Sequence, residues 1–476
     1  MTNKKMIVAL AAVALILVGL VVPAAAAQLK FHGDMNHRFM LGTNHNEFFN
    51  AAGDNRVNSI DDKGAYDNFA EIKYRFWFEA ASDDSDYKGV FATEIGGLRF
   101  GESDKMEYSG DEIRMEVRWG YFDFQLPFFE QKSRVRMGLQ PINVNPFLWQ
   151  ETVGGVKLYG AANSFDYQLG WLRGYEADVT GDEDADLRND HDAFYGRLDF
   201  KPQEGLNVGL LALWQWNNID DYDPASGNDY TLSVADWEFK KLSDKEIDVN
   251  LVTLGVDGAF KSGDFFAKWD LMYQTGSLDN MEFINLDGVT NAVDDYDVSA
   301  YFLHADLGMK MGKSTLTYTF WYTSGDDDPN DDDVEAFMAT DIDRMDSIII
   351  MEGGYADDNY FTERHYILDK GFIMNKLALD YQYSEKLKLG VAALYMMTAE
   401  DLEYTAANGS SVSEDEIGIE FMGYFKYKLF KNVEWAVNGG FLAAGDAMDY
   451  FERDVIQDGD SDEDIWRADM RIRYKF

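Results

Sequence analysis

The chain has 476 residues, carries 86 acidic against 42 basic side chains for a formal charge of −44, and contains no cysteine. So strong a polyanion argues against nucleic acid as a partner, because such binding rests on neutralising phosphates. The missing cysteine removes disulfides, thiolate metal sites and cysteine nucleophiles.

The first element is an address. Lys4 and Lys5 precede an apolar run over 6–22, and Pro23 with four alanines follows. Basic, apolar and small residues in that order predict a cleavable secretory signal over 1–27, with Gln28 first in the mature chain. The run is short for a spanning helix, which needs about 20 residues. No later stretch is long and apolar enough for one, so a membrane would have to be crossed by strands. Residues 28–476 then read as a single domain.

From Leu29 the sequence alternates, with Leu29, Phe31, Gly33 and Met35 set against Lys30, His32, Asp34 and Asn36. Period two places the two sets on opposite faces of a strand. A long polar stretch follows, and then Ala70, Ile72, Tyr74, Phe76 and Phe78 alternate with Glu71, Lys73, Arg75, Trp77 and Glu79. The next link, 82–86, is short. Residues 87–98 and 113–124 pair across a polar loop, and a short link leads to 133–140. Compact links recur at 161–164, 201–205, 261–264, 312–314, 384–386 and 430–432. Longer segments fall at 176–190, 217–246, 276–297, 324–375, 398–414 and 445–464. Within the longest of these, 347–351 and 366–372 read either as loop helix or as another hairpin.

The chain closes on IWRADMRIRYKF, 465–476. Trp466, Ala468, Met470, Ile472, Tyr474 and Phe476 share one face, and Arg467, Asp469, Arg471, Arg473 and Lys475 the other. Alternation alone would suit a soluble sandwich. However, about 9–11 tilted residues cross a bilayer, aromatic girdles mark its interfaces, and transmembrane barrels join short periplasmic turns to long extracellular loops. The reading is all-β, a transmembrane antiparallel β-barrel of 16 or 18 strands. Pro23 lies in the signal and the other six prolines fall between the predicted strands, as ladder hydrogen bonding requires.

With the apolar set toward lipid, the alternate set lines the lumen. Lys73, Arg75, Arg114, Arg118, Arg134 and Arg136 from early strands, with Arg467, Arg471 and Arg473 from the last, predict one basic wall, since closure sets the last strand beside the first. Residues 140–155, QPINVNPFLWQETVGG, form the third long-side loop and are unusually apolar. Asn143, Asn145, Phe147, Trp149 and Glu151 make it a candidate constriction loop, packed either inside the barrel or on a neighbouring subunit. Folded inward, Glu151 would face the arginines across the pore. The run 326–333, DDDPNDDD, is either a solvated acidic coat or, through Asp326, Asp328, Asp331 and Asp333, a divalent-cation site. It lacks the glycine and terminal glutamate of an EF-hand loop.

Together these features resemble the bacterial outer-membrane trimeric porins of the general diffusion type, and in general look the homotrimeric porins of sulfate-reducing bacteria. The residues that carry the resemblance are the signal, LKFHGDMNHRF at the opening strand, WGYFDF at 119–124, the third-loop segment and the terminal RIRYKF. It implies passive diffusion of small hydrophilic solutes and ions through the outer membrane of a Gram-negative bacterium. It also implies a homotrimer embedded in outer-membrane lipid, an inward third loop, and barrel-assembly machinery that recognises Phe476. No cofactor is implied. The PEFGG type of third-loop sequence is absent. Three rival readings stand: a substrate-specific porin for anions or sugars, a barrel sleeve or adhesin, and an outer-membrane enzyme. Of six histidines, His32 and His304 sit on predicted strands, where lumen-lining or girdle roles are commoner than catalysis.

Overall fold

The computed structural model describes residues 28–43, 66–100, 115–128, 133–162, 164–175, 191–219, 239–241, 247–284, 290–292, 295–328, 330–342, 346–351, 354–355, 366–367, 369–406, 408–451, 461 and 464–476. The predicted signal over 1–27 and Arg114 lie outside them. Eighteen long strands follow one another. The first nine are β1 (Gln28–Thr43), β2 (Tyr66–Ala81), β3 (Tyr87–Arg99), β4 (Glu116–Gln125), β5 (Arg134–Pro141), β6 (Thr152–Ala161), β7 (Phe165–Tyr175), β8 (His191–Gln203) and β9 (Leu206–Ile219). The second nine are β10 (Ile247–Ser262), β11 (Phe265–Asp279), β12 (Asp295–Met311), β13 (Ser314–Thr323), β14 (Phe372–Gln382), β15 (Leu387–Thr405), β16 (Ser411–Phe430), β17 (Val433–Ala444) and β18 (Ile465–Lys475). Each pairs antiparallel with the next, and β18 returns to β1 with Tyr474 opposite Met35 and Arg473 opposite Asn36. The sheet is therefore closed and has no free edge, the only form in which strands can span lipid.

The outward positions show what this cylinder was built for. Leu29, Phe91, Leu169, Leu254, Leu271, Leu307, Leu377, Val391 and Phe421 are all exposed. Left in water, a continuous apolar belt of this kind would drive aggregation; in a bilayer it is covered by acyl chains. Aromatic clusters stand at the two ends of the belt. Phe31 meets Phe78 at 4.8 Å and Phe476 at 5.5 Å near the short-turn end. Toward the long-loop end, Phe194 stacks on Trp214 at 5.5 Å and Tyr273 lies 5.1 Å from Tyr301.

The closing seam is finished at one glycine. Gly33 N–H donates to the Phe476 carbonyl and Phe476 N–H donates to the Gly33 carbonyl, both at 3.0 Å. A Cβ at position 33 would meet the far edge of the Phe476 ring, which would have to turn aside to admit it.

Long and short connections alternate as predicted, except over 398–414. That stretch is the outer part of the β15–β16 hairpin, which turns tightly at 406–410 after a register shift between Met396 and Leu402. The hairpin rises past the apolar belt, so its outward positions are free to be acidic and its strands read as loop. Over 347–351 there is neither helix nor hairpin. Ser347 Oγ instead accepts the Ile349 and Ile350 N–H groups at 3.2 and 2.8 Å, making a single capped turn. The residues at 366–367 and 369–370 form short 3₁₀ turns. The two-residue strand Asp333–Val334 runs parallel to β12. A small separate ribbon joins Phe239–Lys241, Met281–Ile284 and Thr290–Ala292.

The hydrophobic core lies within the barrel. The β5–β6 connection, 142–151, and the described residues of the β13–β14 connection both fold into the lumen. They supply Ile142, Val144, Phe147, Leu148 and Trp149 from the first, and Phe337, Ile342, Ile348, Ile349, Ile350 and Tyr366 from the second. These pack on inward side chains such as Leu172, Tyr195, Leu213, Phe302, Trp321, Met374, Met396 and Leu442. Strands β1 to β5 contribute nothing to this cluster.

Candidate functional site

The β5–β6 loop is a miniature hairpin. Ile142 N–H donates to the Glu151 carbonyl at 2.8 Å, and Val144 N–H to the Trp149 carbonyl at 3.0 Å. Asn145 shapes its tip, because Oδ1 accepts the Phe147 N–H at 2.9 Å while Nδ2 donates to Asp270 at 2.8 Å on the barrel wall. Arg197, paired with Asp257 and Asp199, donates to the Val144 carbonyl at 3.2 Å. Phe147, 1% exposed, is held with its ring 4.4 Å from His304, 4.9 Å from Trp321 and 5.1 Å from Phe302. The second infolded loop braces the first. Tyr366 Oη donates to the Phe147 carbonyl at 2.7 Å, and Thr340 N–H to the Leu148 carbonyl at 2.8 Å. The two alternatives for this loop thus resolve to the interior one.

Not every residue of the loop does what its position in the sequence promised. Asn143 is exposed and donates to Gln150 Oε1 at 3.0 Å. Trp149 forms part of the core. Glu151 does not look across at the arginines of β4 and β5. Its Oε1 accepts the Thr152 N–H at 2.6 Å, and it lines a cavity of about 360 Å³ with Trp149, Arg173, His191 and Asn217. The reason is leverage: Glu151 stands at the base of the hairpin, where the backbone has already rejoined β6.

Beside the packed loops lies the wall of β1 to β6, continued by β18, whose Ile465 joins the core and whose Arg471 rests on Tyr355 of the β13–β14 loop. The described cations predicted for the lumen face inward, and each has a carboxylate. Lys73, Arg75 and Arg118 converge on Glu94, with Lys73 at 3.6 Å and Arg118 at 3.0 Å. Arg134 and Arg136 share Asp123 at 2.7 and 2.9 Å, and Tyr159 Oη donates to the same carboxylate at 2.6 Å. Asp123 is completely buried, so this pairing carries the desolvation of three polar groups. Arg471 meets Glu434 at 2.8 Å and lies over the Tyr355 ring, Arg473 holds Asp34, and Arg467 holds Asp469 at 3.0 Å with both fully buried. The surface is a ladder of ion pairs rather than a uniform positive sheet. Its carboxylates were legible as members of the inward-facing set, but alternation does not say which cation each one meets.

Two lysines change the balance. Lys157 sits over the Tyr159 ring at 5.3 Å and Lys426 over the Tyr424 ring at 5.2 Å. Their partners are aromatic faces, which tolerate a cation without cancelling its charge.

In the acidic run, Asp326 is buried whereas Asp328, Asp331 and Asp333 are exposed. Asp328 accepts the Asn330 N–H at 3.0 Å and Asp331 the Asp333 N–H at 2.9 Å, so these carboxylates turn their own backbone. Among the described residues, no group of three or more His, Asp or Glu side chains converges to hold a metal ion. Burial, followed by the fields of Asp369, Asp331 and Glu335, pushes the Asp326 carboxyl up to about 7.

The two histidines predicted on strands are both engaged by neighbouring side chains. His32 stacks on Trp77 at 5.1 Å. His304 is 2% exposed, with Nδ1 2.9 Å from Asp270 and Nε2 3.3 Å from Asp306, and serves as the floor beneath Phe147.

Comparison with known proteins places this geometry. No family model and no curated protein matches the sequence. Among solved structures, Pseudomonas aeruginosa OpdL superposes with a TM-score of 0.51 at 10% identity, covering 94% of this chain and 99% of that one. OccK8 (OprE) of the same organism gives 0.50 at 11% identity, with 94% and 98% covered. OccK1 (OpdK), also from that organism, gives 0.50 at 9% identity, again with 94% and 98% covered. The chain has the fold of these barrels. At such identities the likeness is one of architecture, and the side chains that line the lumen are this chain's own.

Proposed function

We propose that this chain forms a water-filled channel across the outer membrane of a Gram-negative bacterium and passes small hydrophilic solutes and ions by diffusion, without catalysis. The observation that carries the reading is the closed barrel with an apolar exterior and a charged inner wall on β1 to β6 and the short-turn end of β18, beside two infolded loops. The loops fill the lumen on the other side, so the passage runs off-axis along the ion-pair ladder. Fixed pairs at close quarters give solutes alternating hydrogen-bond donors and acceptors, and Lys157 and Lys426, which make no ion pair among the described residues, add positive charge. On that basis the channel favours anions.

A second reading, a substrate-specific channel for anions or sugars, gains from the same infolding, because a narrowed, ladder-lined passage discriminates better than an open one. Export through an N-terminal signal over 1–27, assembly as a homotrimer, and recognition of Phe476 by barrel-assembly machinery complete the proposal. Planar-bilayer recording of the purified protein tests it. Steady unitary currents with a reversal potential displaced toward the anion are expected under a salt gradient. A barrel that inserts but conducts no steady current would point instead to a closed sleeve and overturn the channel reading.

A further inference from the structure

Two tryptophans stand where core packing does not account for them. Trp77 on β2 and Trp119 on β4 face the lumen, on the wall that contributes nothing to the packed cluster. Register fixes their side: Trp77 lies opposite His32 and shares a face with Arg75 and Glu79, while Trp119 lies opposite the buried Ala92. Because residue 92 is so small, the two indoles meet over it, with ring centroids 6.0 Å apart and planes at 63°. His32 stacks on Trp77 at 5.1 Å, and Trp119 Nε1 donates to Thr152 Oγ1 at 3.2 Å, so both rings are held. Tyr121, two residues beyond Trp119, continues the row on the same face, with Arg136 over its ring at 4.6 Å. All three rings are half-buried. The rest of each ring meets the water of the passage, where an apolar surface gains nothing.

The guanidinium groups beside this row are already balanced. Arg75 and Arg118, next to the indoles, share Glu94, and Arg134 and Arg136, next to Tyr121, share Asp123. Both carboxylates are buried while the four arginines are partly exposed, so a solute meets the cations first. An anion gains little there, because the carboxylate in contact cancels the field, whereas a neutral hydroxyl oxygen still finds an N–H donor. A solute that satisfies both the rings and these donors has an apolar face and a rim of hydroxyls. A pyranose has that shape, with C–H groups that lie flat on an aromatic face and equatorial hydroxyls that reach sideways.

We propose that Trp77, Trp119 and Tyr121 form a stacking track for neutral pyranose sugars, with the balanced arginines beside it as hydrogen-bond donors. The proposal rests on the channel reading and sharpens its sugar alternative. Contacts of this kind hold a passing sugar yet release it, as conduction requires. The test adds maltose, mannitol or benzoate to one side of a planar bilayer holding the full-length protein, and reads the block of each protein's own open current. Maltose should give a saturable block and mannitol, which has hydroxyls but no ring, should not. In Trp77→Ala/Trp119→Ala the half-blocking concentration should rise about tenfold, whereas Trp77→Phe/Trp119→Phe, which keeps the aromatic faces, should stay near wild type. No maltose block in a conducting wild-type channel, equal block by mannitol, or unchanged block in the alanine variant overturns the proposal. Block by benzoate and not by maltose overturns the sugar and assigns the track to aromatic acids. A protein that carries no current strikes at the channel reading; maltose titration of tryptophan fluorescence in detergent then decides the track by itself, and no change in the wild type overturns it.

Discussion

Replacing Phe147 with alanine tests whether the β5–β6 loop narrows the passage. The ring is buried against Phe302, His304 and Trp321, and truncating a core phenylalanine costs about 3–5 kcal/mol. What remains at the tip is the packing of Val144, Leu148 and Trp149 and a small set of hydrogen bonds: Asn145 to Asp270, Arg197 to Val144, Tyr366 to Phe147 and Thr340 to Leu148. Each hydrogen bond contributes about 0.5–1.5 kcal/mol. The lost packing therefore equals two or more of them, and the ratio of docked to released loop should fall by about a hundredfold or more. Barrel strands are unaffected, because the ladders do not pass through this ring. In single-channel recordings the variant should show a larger mean conductance with added open-channel noise, while Phe147→Leu, which keeps most of the apolar volume, should stay near wild type. Unchanged conductance and noise in Phe147→Ala would refute the loop as the constriction.

Selectivity should follow the ladder. Asp123→Asn leaves Arg134 and Arg136 without their shared carboxylate and should move the reversal potential further toward anions, whereas Arg134→Ser with Arg136→Ser should move it toward cations. Asp326 supplies a pH dependence whose sign is fixed by its raised pKa of about 7. The packed loop holds a proton that a released loop gives up in the ordinary carboxylate range. Packing is strongest below that range, weakens as pH rises through about 7 and then levels off. Limited proteolysis of the β13–β14 loop should accordingly be faster at pH 8 than at pH 5, and Asp326→Asn should flatten the difference. Gly33→Val sets a side chain against the Phe476 ring and should slow barrel closure, visible as a larger unfolded fraction in unboiled electrophoresis after refolding.

The outward half of this protein was the easy half to read. Lipid demands an apolar residue at every second position, so Leu29, Phe31, Ile472 and Tyr474 announce both strand and face, and counting segments narrows the strands to 16 or 18, of which the structure has 18. Where that demand stops, legibility stops with it. The outer part of the β15–β16 hairpin passes for a loop because acids are tolerated on both of its faces. The inward half obeys pair geometry instead. Arg134, Arg136 and Asp123 are recognisable as inward by parity, yet that they share one carboxylate depends on β4 and β5 lying in a register no single-strand pattern encodes. Glu151 was misplaced for a related reason, since its residue type suggested an opposing charge while its position at the hairpin base bound it to its own backbone. Phe147 and Trp149 were telling because an apolar loop in a polar setting has to be covered by something.

The seam between β1 and β18 sets a rule of timing. Arg473 and Asp34 are separated by 439 positions along the chain, and bringing such distant points together costs about 5 kcal/mol in loop-closure entropy alone. No internal hairpin can stand in for that junction, because its contacts join β18 to β1. A chain released early keeps two raw strand edges and stays open to pairing with other molecules, whereas a finished one hides both in a single step. Closure thereby acts as a check on synthesis: only a chain made through β18 can satisfy both edges of its own sheet.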